Sequence, residues 1–209
     1  MEATIPKRGR PRDPERVKRV LQAAQEQFIE HGFARASIDA IAKASGVSKV
    51  TVYSYFPTKE ALFEAAVGNC TDVVFASLPP GALDPGNPEA ALSLIGESFL
   101  KLNRSDEVVG AFRLMFAAAG EYPDACEAFY RQGPAKLRHQ VAEYLRAADA
   151  AGKLAVEFPD EAADQFLSLF LGGAHIRTML GLGKPEAGED IRLLRANVGL
   201  FIRAFRRPV

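Results

Sequence analysis

Side chains that could contact a DNA duplex are concentrated between residues 37 and 59, in the stretch SIDAIAKASGVSKVTVYSYFPTK. This stretch predicts two short helices joined by a turn at Gly46, because a residue without a Cβ takes a positive φ at little cost. Ser48 is a suitable N-cap for the second helix. In a helix-turn-helix unit the second helix enters the major groove and the first supports it against the DNA backbone. The pattern therefore favours DNA binding.

The second helix, residues 48 to 56, has an apolar face and a polar face. Val47, Val52 and Phe56 have the spacing of core residues, which leaves the other side chains outward. A lysine can donate to guanine O6 and N7, methyl groups can pack on a thymine methyl, and neighbouring hydroxyl or ammonium groups suit phosphate oxygens. The side chains predicted to meet base edges are Lys49, Val50 and Thr51. Those predicted to meet phosphates are Ser37, Ser48, Tyr53, Tyr55 and Lys59.

A simpler interpretation of the same stretch is a pair of capped amphipathic helices without a ligand. A single serine cap or one exposed tyrosine would support that interpretation. Two outward tyrosines two residues apart, beside two lysines, have no evident structural use. The set as a whole therefore favours a DNA contact.

Basic residues are concentrated in the segment before this stretch. Residues 1–60 contain 11 Lys/Arg against 7 Asp/Glu, whereas residues 61–209 contain 15 against 19. Such a segment can meet a polyanion. Arg8 and Arg10, in the sequence RGRP, could lie in a narrow A·T minor groove. The alternative is a solvated basic tail without a ligand.

Composition and motifs exclude several other classes of protein. No apolar run approaches the roughly 18 residues of a membrane span, and the N-terminus has no apolar signal region, so we expect a cytoplasmic protein without a membrane partner. No nucleotide-binding, hydrolase or metalloprotease motif is present, and the three histidines are far apart, so we expect no enzyme, metal site or cofactor. Redox regulation through Cys70 and Cys126 remains an alternative.

Apolar residues follow the helical period along the whole chain, which predicts an all-α fold of about nine to ten helices. The proline-rich segment 79–88 interrupts this pattern, and Gly133-Pro134 should kink or split the helix that contains it. The predicted domains are a basic arm (1–12), a helix-turn-helix domain (13–60) and a ligand-binding and dimerisation domain (61–209). Helical patterns after the interruption cover 89–103, 106–119, 123–150, 159–181 and 188–206.

The C-terminal helices contain many aromatic residues, which are either core residues or the lining of an apolar cavity. His175, a lone histidine in an apolar stretch, is also typical of a core position. The residues predicted to line a ligand cavity are Phe99, Arg113, Phe116, Tyr130, Phe166, Phe170 and His175. Segments 159–181 and 188–206 are unusually apolar for the end of a chain and predict a four-helix homodimer interface; the alternative is one hairpin packed within the monomer.

The stretch from residue 21 to 67 resembles the DNA-binding domain of the tetracycline-repressor (TetR) family. The resemblance rests on Phe28-x-x-x-Gly32-Phe33, Ser37-Ile38, Ile41-Ala42, Ala44-x-Gly46-Val47-Ser48 and Thr51-x-Tyr53-x-x-Phe56-x-x-Lys59-Glu60-x-Leu62. More weakly, Ala128-Phe129-Tyr130-x-x-Gly133-Pro134, Asp164-Gln165-Phe166 and Gly172-Gly173-x-His175-x-Arg177 resemble AefR-like regulatory domains.

The resemblance implies a homodimeric repressor that binds a double-stranded operator and releases it when a small molecule occupies the C-terminal domain. It implies the same DNA-contacting residues that the residue pattern predicts, which are Ser37, Ser48, Lys49, Val50, Thr51, Tyr53, Tyr55 and Lys59. Many relatives have glycine at the third position of this helix, where this chain has Val50. The valine could add a methyl contact to thymine, or it could narrow the approach to the groove.

Overall fold

A computed structural model describes the backbone of residues 13–76, 78–79 and 81–207, and their side chains except those of 69–76 and 118. Within these ranges the chain forms helices and no β-strand, with one isolated antiparallel bridge between Leu154 and Arg206. The predicted all-α class is confirmed. The arm, with Arg8 and Arg10, and the side chain of Cys70 lie outside the described part of the chain.

The helices follow the predicted order closely. In chain order they are α1 (Pro14–Arg35), α2 (Ile38–Ser45), α3 (Lys49–Tyr55), α4 (Lys59–Ala76), α5 (Pro88–Arg104), α6 (Asp106–Ala118), α7 (Pro123–Tyr130), a π-helical segment (Arg131–Ala135), α8 (Lys136–Ala150), α9 (Pro159–Ser168), α10 (Gly173–Met179) and α11 (Ala187–Ala204). None of the described helices is both long and apolar enough to cross a lipid bilayer.

The first four helices are set by local signals in the sequence. Asp13 caps α1, since its side chain accepts a hydrogen bond from the backbone of Glu15. Gly32 has a φ of 75° and interrupts α1, and Gly46 has a φ of 65° at the end of α2. Both angles lie in the left-handed region that favours glycine. After these two turns α2 packs on α1, and α3 packs on α2.

Two clusters of buried side chains form the interior. The first, which we call the head core, contains residues of α1 to α4 together with Met115 of α6 and Ala125 of α7. The second, which we call the C-terminal core, contains residues of α5, α8, α9 and α11 and the loop that follows α8. Thus α6 packs on α1 and α7 packs on α4, although both follow α4 by about thirty residues or more.

Close packing of α5 against α11 depends on Gly96. A Cβ at this position would lie 2.7 Å from Leu194 Cδ1 and 2.9 Å from Phe170 Cζ. These distances are shorter than van der Waals contact, so a side chain there would displace both neighbours. Gly96 therefore allows the two helices to approach each other.

Two long helical patterns are divided in the structure. The break expected at Gly133-Pro134 is a π-helical segment, consistent with the missing amide donor of Pro134. The prediction of one helix over 159–181 is wrong: α9 ends at Ser168 and α10 begins at Gly173. Asn197 of α11 donates a hydrogen bond to the carbonyl of Leu169 at 2.8 Å, which compensates for the interrupted helix.

Candidate nucleic-acid interface and ligand cavity

Helix α3 is anchored on one side and exposed on the other. Val47 and Val52 are buried in the head core, while Val50 is 81% exposed and Tyr53 is 42% exposed. Ser48 Oγ accepts a hydrogen bond from the amide of Thr51 at 3.2 Å and so fixes the start of the helix. Val50, predicted to meet a base edge, and Tyr53, predicted to meet a phosphate, are thus both open to solvent.

Lys49, at the first position of α3, forms an ion pair with Asp39 of α2. Its Nζ lies 2.8 Å from Asp39 Oδ1, and the hydrogen bond to this carboxylate raises the pKa of Lys49. Both side chains are exposed. Lys49 is therefore charged at neutral pH but held by a carboxylate, a contact that the sequence pattern did not predict. Spacing within one helix could not have indicated it, because the two residues lie on different helices.

Lys59, at the start of α4, is directed back onto α1. Its Nζ donates to the carbonyl of Ala34 at 2.9 Å and lies 4.9 Å from the centroid of the Phe33 ring. Burial lowers the pKa of Lys59. This contact joins α4 to the end of α1. The Lys59 ammonium group, which was predicted to meet a phosphate, thus already donates a hydrogen bond within the protein.

The other side chains of α2 and α3 that were predicted to contact DNA differ in their exposure. Ser37 is exposed and caps α2, since its Oγ accepts from the amide of Ala40 at 3.5 Å. Thr51 and Tyr55 are half-buried, and the Thr51 hydroxyl lies 2.8 Å from Ser48 Oγ. These groups thus lie at the start of α2 and along α3.

A cavity of about 180 Å³ lies between the head core and the C-terminal core. Phe28, Phe63 and Met115 of the head core line it together with Phe99 and Leu137 of the C-terminal core. Because α1 and α4 contribute to its wall, the cavity is in direct contact with the helices that carry the DNA-reading unit. A molecule bound there would contact both cores.

Of the residues predicted to line a ligand cavity, the structure brings Phe99 to this one. Phe166 and Phe170 are fully buried within the C-terminal core. Phe116 and Tyr130 are 70% and 57% exposed. Each follows, by one turn or one residue, an aromatic residue that does reach the cavity. Those lining residues are Phe112, one helical turn before Phe116, and Phe129, directly before Tyr130.

The two predicted polar ligand contacts also lie elsewhere. Arg113 joins α6 to α10, donating from its guanidinium to the carbonyls of Thr178 (2.6 Å) and Met179 (2.8 Å). His175 is half-buried on α10; burial lowers its pKa, and the nearby charge of Arg104 lowers it further. Arg113 therefore holds α6 to α10, and neither Arg113 nor His175 lines the cavity.

The polar groups that do line the cavity include two that were not predicted from the sequence. Asn103 is buried, and its Nδ2 donates to the carbonyl of Phe99 at 2.9 Å. Arg138 of α8 lines the cavity with a buried Nε that has no hydrogen-bond partner in the described structure. Neither residue belongs to a motif, so nothing in the sequence pattern marks them as cavity residues. Among the described residues, no group of three or more His, Cys, Asp or Glu side chains could hold a metal ion.

A second contact joins the wall of the cavity to α4. Gly133 and Pro134 of the π-helical segment line the cavity. Their neighbours Arg131 and Gln132 donate to Glu64 Oε1 of α4 at 2.9 Å and 2.7 Å. These hydrogen bonds, with that from Arg131 the larger effect, lower the pKa of Glu64. The segment thus touches the cavity on one side and α4 on the other.

Comparison with known proteins identifies the family of this chain. A model described as "Bacterial regulatory proteins, tetR family" matches residues 20–66. A second, described as "AefR-like transcriptional repressor, C-terminal domain", matches residues 90–207, which is more than half of the chain. The chain belongs to the TetR family of transcriptional regulators. The predicted family and the predicted AefR-like C-terminal domain are confirmed.

Individual relatives support the same assignment. The solved structure of the flavonoid-responsive regulator FrrA is similar to this TetR-family chain, with a TM-score of 0.74, 34% sequence identity, and coverage of 94% of this chain and 100% of that one. The regulator RutR of Escherichia coli K12 is 30% identical over 112 residues, 54% of this chain and 45% of RutR. YdeS of Bacillus subtilis is 39% identical over 67 residues, 32% of this chain and 34% of YdeS. The chain thus spans less than half the length of these two curated relatives.

The family assignment fits the two regions just described. The N-terminal match contains every TetR-family contact predicted on α2, α3 and the start of α4, and the C-terminal match contains α5 to α11 almost completely. The chain is therefore a DNA-binding transcriptional regulator with a helix-turn-helix domain. Since its homologues and its fold are those of regulators, the chain is not an enzyme.

Proposed function

We propose that this TetR-family regulator is a cytoplasmic homodimeric repressor that binds a palindromic operator and is released by a small, largely apolar ligand. The observation that supports this most strongly is the exposed side of α3, where Val50 and Tyr53 are open to solvent while Val52 holds the helix in the head core. A helix of seven residues is about 10 Å long, which suits a major groove about 12 Å wide. Base recognition then falls to Lys49, Val50 and Thr51.

The contact of Lys49 with Asp39 suggests that Asp39 and a DNA base compete for the ammonium group of Lys49. In the free protein the carboxylate holds the lysine charge 2.8 Å away. In a complex, Lys49 would exchange this partner for a guanine edge. Because both side chains are exposed, the ion pair contributes little stability and the exchange is inexpensive. Phosphates would be contacted by Ser37, Ser48, Tyr53, Tyr55 and Lys59. Arg8 and Arg10 of the arm would lie in a narrow A·T minor groove.

Exposed apolar side chains on α10, α11 and the loops beside them support dimerisation. Ile176, Leu180 and Leu182 are between 53% and 68% exposed, and Ile191 and Leu200 of α11 are 57% and 49% exposed. A monomer rarely leaves so many large apolar side chains in one region open to water. Two copies of this surface would form the symmetric four-helix interface that segments 159–181 and 188–206 predict.

Coupling between ligand and DNA follows from the position of the cavity. A ligand between the two cores would press on Phe28 of α1 and Phe63 of α4, and on the π-helical segment that holds Glu64 of α4. If the ligand favours a position of α4 that separates the two recognition helices differently, operator affinity falls. The size of the effect is limited by the difference in ligand affinity between the two states.

The test is selection of bound duplexes from a random DNA pool with the purified full-length protein, followed by affinity measurements on the selected sequence. We expect a palindrome with half-sites about one to one and a half turns apart. Val50→Glu, which places a negative charge on the exposed side of α3, should abolish selective binding without changing the far-ultraviolet circular dichroism. Binding that survives this change would contradict the proposed reading helix.

Dimerisation is tested independently by light scattering on a size-exclusion column. Leu180→Glu and Leu200→Glu should each yield monomers and weaken operator binding, because the proposed interface would bury these charges. Phe158→Glu is a matched control, since Phe158 is also exposed but lies outside both predicted interface segments. A wild-type protein that remains monomeric at micromolar concentration would favour the single packed hairpin.

A further inference from the structure

The cavity contains one polar feature that the protein itself leaves incomplete. Arg138 lines the cavity, and its Nε is buried without a hydrogen-bond partner. No described residue forms an ion pair with this guanidinium. Arginine keeps its charge in proteins, and a buried donor without a partner is costly. An anion with planar oxygens, such as a carboxylate, would satisfy both the charge and the hydrogen-bond donor.

The remainder of the wall is apolar and largely aromatic. It includes Phe28, Phe63, Phe99, Phe112 and Phe129, and the last two rings meet edge to face at 5.0 Å. Such walls suit a flat ring, which they can contact by further edge-to-face packing. The volume of about 180 Å³ is slightly larger than a protein cavity of about 150 Å³ that binds benzene. One aromatic ring with a short side chain therefore fits.

Two carboxylates limit the charge that such a ligand can carry. Glu107 and Asp164 also line the cavity, and both are exposed to solvent at its rim. They would repel a second anionic group placed away from Arg138, and solvent screens their effect on the buried end. The wall is thus complementary to a ligand with one negative charge at one end and an uncharged body.

We propose that the effector of this regulator is a small aromatic acid, in which one carboxylate is bound by Arg138 and the ring lies among the phenylalanines between the two cores. This inference rests on the proposed function, because it names the ligand class of the same cavity. Arg138 is then the residue that determines specificity for acids over neutral aromatic compounds of the same shape. The phenylalanines contribute affinity to both kinds of compound.

The experiment compares cinnamate with cinnamamide, which has the same shape but no charge at neutral pH. Isothermal titration calorimetry on the full-length protein should show cinnamate binding at least tenfold more tightly. Arg138→Met should reduce cinnamate affinity to that of cinnamamide and leave cinnamamide affinity unchanged. Lys153→Met is the matched control, because it removes one positive charge from an exposed loop position outside the cavity.

Several outcomes would overturn the inference. They are equal affinity for the two compounds in the wild-type protein, the absence of binding by either compound, or undiminished cinnamate binding by Arg138→Met. Equal binding of the neutral flavonoid naringenin by the wild type and Arg138→Met, with no binding of cinnamate, would assign the cavity to uncharged polyphenols. The comparison of the two compounds on the wild type needs no variant to fold.

A second measurement distinguishes this inference from the proposed function. Operator affinity is determined with and without cinnamate on the selected duplex. A protein that binds the operator and ignores cinnamate contradicts the ligand class and leaves the regulator proposal intact. A protein that binds cinnamate through Arg138 and no duplex contradicts the regulator proposal and leaves the ligand class intact.

Discussion

The head core and the C-terminal core are built from the same kind of contact but serve different purposes. Phe28 and Phe63 meet edge to face at 5.0 Å in the head core, and Phe166 and Phe201 do so at 5.1 Å in the C-terminal core. The head core supports an exposed reading helix on its outer side. Where it meets the C-terminal core, packing is incomplete and the cavity remains.

This difference shows where the molecule can respond to a ligand. Filled cores change little when a small molecule binds, because displaced side chains have no free volume to enter. The boundary between the cores already contains free volume, and helices of both cores form its wall. Since α6 packs on α1 and α7 packs on α4, a shift of α6 or α7 acts on the two helices beside the helix-turn-helix unit.

The largest predicted effect concerns the independence of the two cores. Phe166→Ala empties a fully buried site in the C-terminal core and should lower the free energy of unfolding by about 3–5 kcal/mol. Leu62→Ala in the head core should lower it by about 2–5 kcal/mol. In urea unfolding followed by circular dichroism, each variant should shift one common transition, because α4 and α6 of the head core both pack against α5 of the C-terminal core. Two separate transitions would show that the cores unfold independently.

A smaller loss of stability is expected where two helices touch. Gly96→Ala would place a methyl group 2.7 Å from Leu194 Cδ1 and should cost about 1–3 kcal/mol. Gly188→Ala in α11 is the matched control, since its Cβ would lie 3.5 Å from the flexible end of Arg192. Thermal unfolding should show a lower midpoint for the first variant and no loss for the second. A neutral Gly96→Ala would mean that α5 and α11 separate easily.

The structure of the helix-turn-helix unit was predictable because it depends on contacts between residues that are close in the sequence. Ser37 and Ser48 cap their helices, and Gly46 forms the turn, through contacts that span three or four residues. Outward positions on α3 follow from the helical period once Val52 is placed in the core. The ion pair of Lys49 with Asp39 depends on the angle between two helices, which the period alone does not determine.

The cavity was poorly predictable because it depends on how distant helices rotate against each other. Phe112 and Phe129 line it, whereas the predicted Phe116 and Tyr130, one turn or one residue away, are exposed. Adjacent helical residues point about 100° apart, so facing direction decides between Phe129 and Tyr130. Phe112 and Phe116 share a face of α6, so their positions along the helix decide between them. The break after Ser168 was missed for a related reason, since Asn197 compensates for it from another helix.

An effect on DNA affinity, not on stability, is predicted for Asp39→Asn. The change frees Lys49 and removes a negative charge beside the proposed interface, so operator affinity should rise severalfold at low ionic strength. The gain should shrink as salt is added. Glu97→Gln makes the same charge change on α5, where Glu97 pairs with Lys101, and should have no effect. Weaker binding by Asp39→Asn would show instead that the carboxylate positions Lys49 for base contact.

The smallest predicted effect concerns the contact between the cavity wall and α4. Hydrogen bonds from Arg131, and secondarily from Gln132, lower the pKa of Glu64, so the ionised carboxylate stabilises the folded state above its ordinary pKa. This contribution is lost as the pH falls through the lowered, folded-state pKa. Glu64→Gln should therefore lower the unfolding temperature by about a degree or two near neutral pH and make no difference in acid.

The same variant tests whether this contact transmits ligand binding. If the π-helical segment moves α4 through Glu64, then Glu64→Gln should reduce the ratio of operator affinities without and with ligand, while the operator affinity of the free protein changes little. By thermodynamic reciprocity, the effect of operator DNA on ligand affinity must decrease by the same factor. An unchanged ratio would mean that the ligand acts on α4 through Phe63 and its apolar neighbours alone. In that case the boundary between the cores would couple the two sites by packing, without the ion pair.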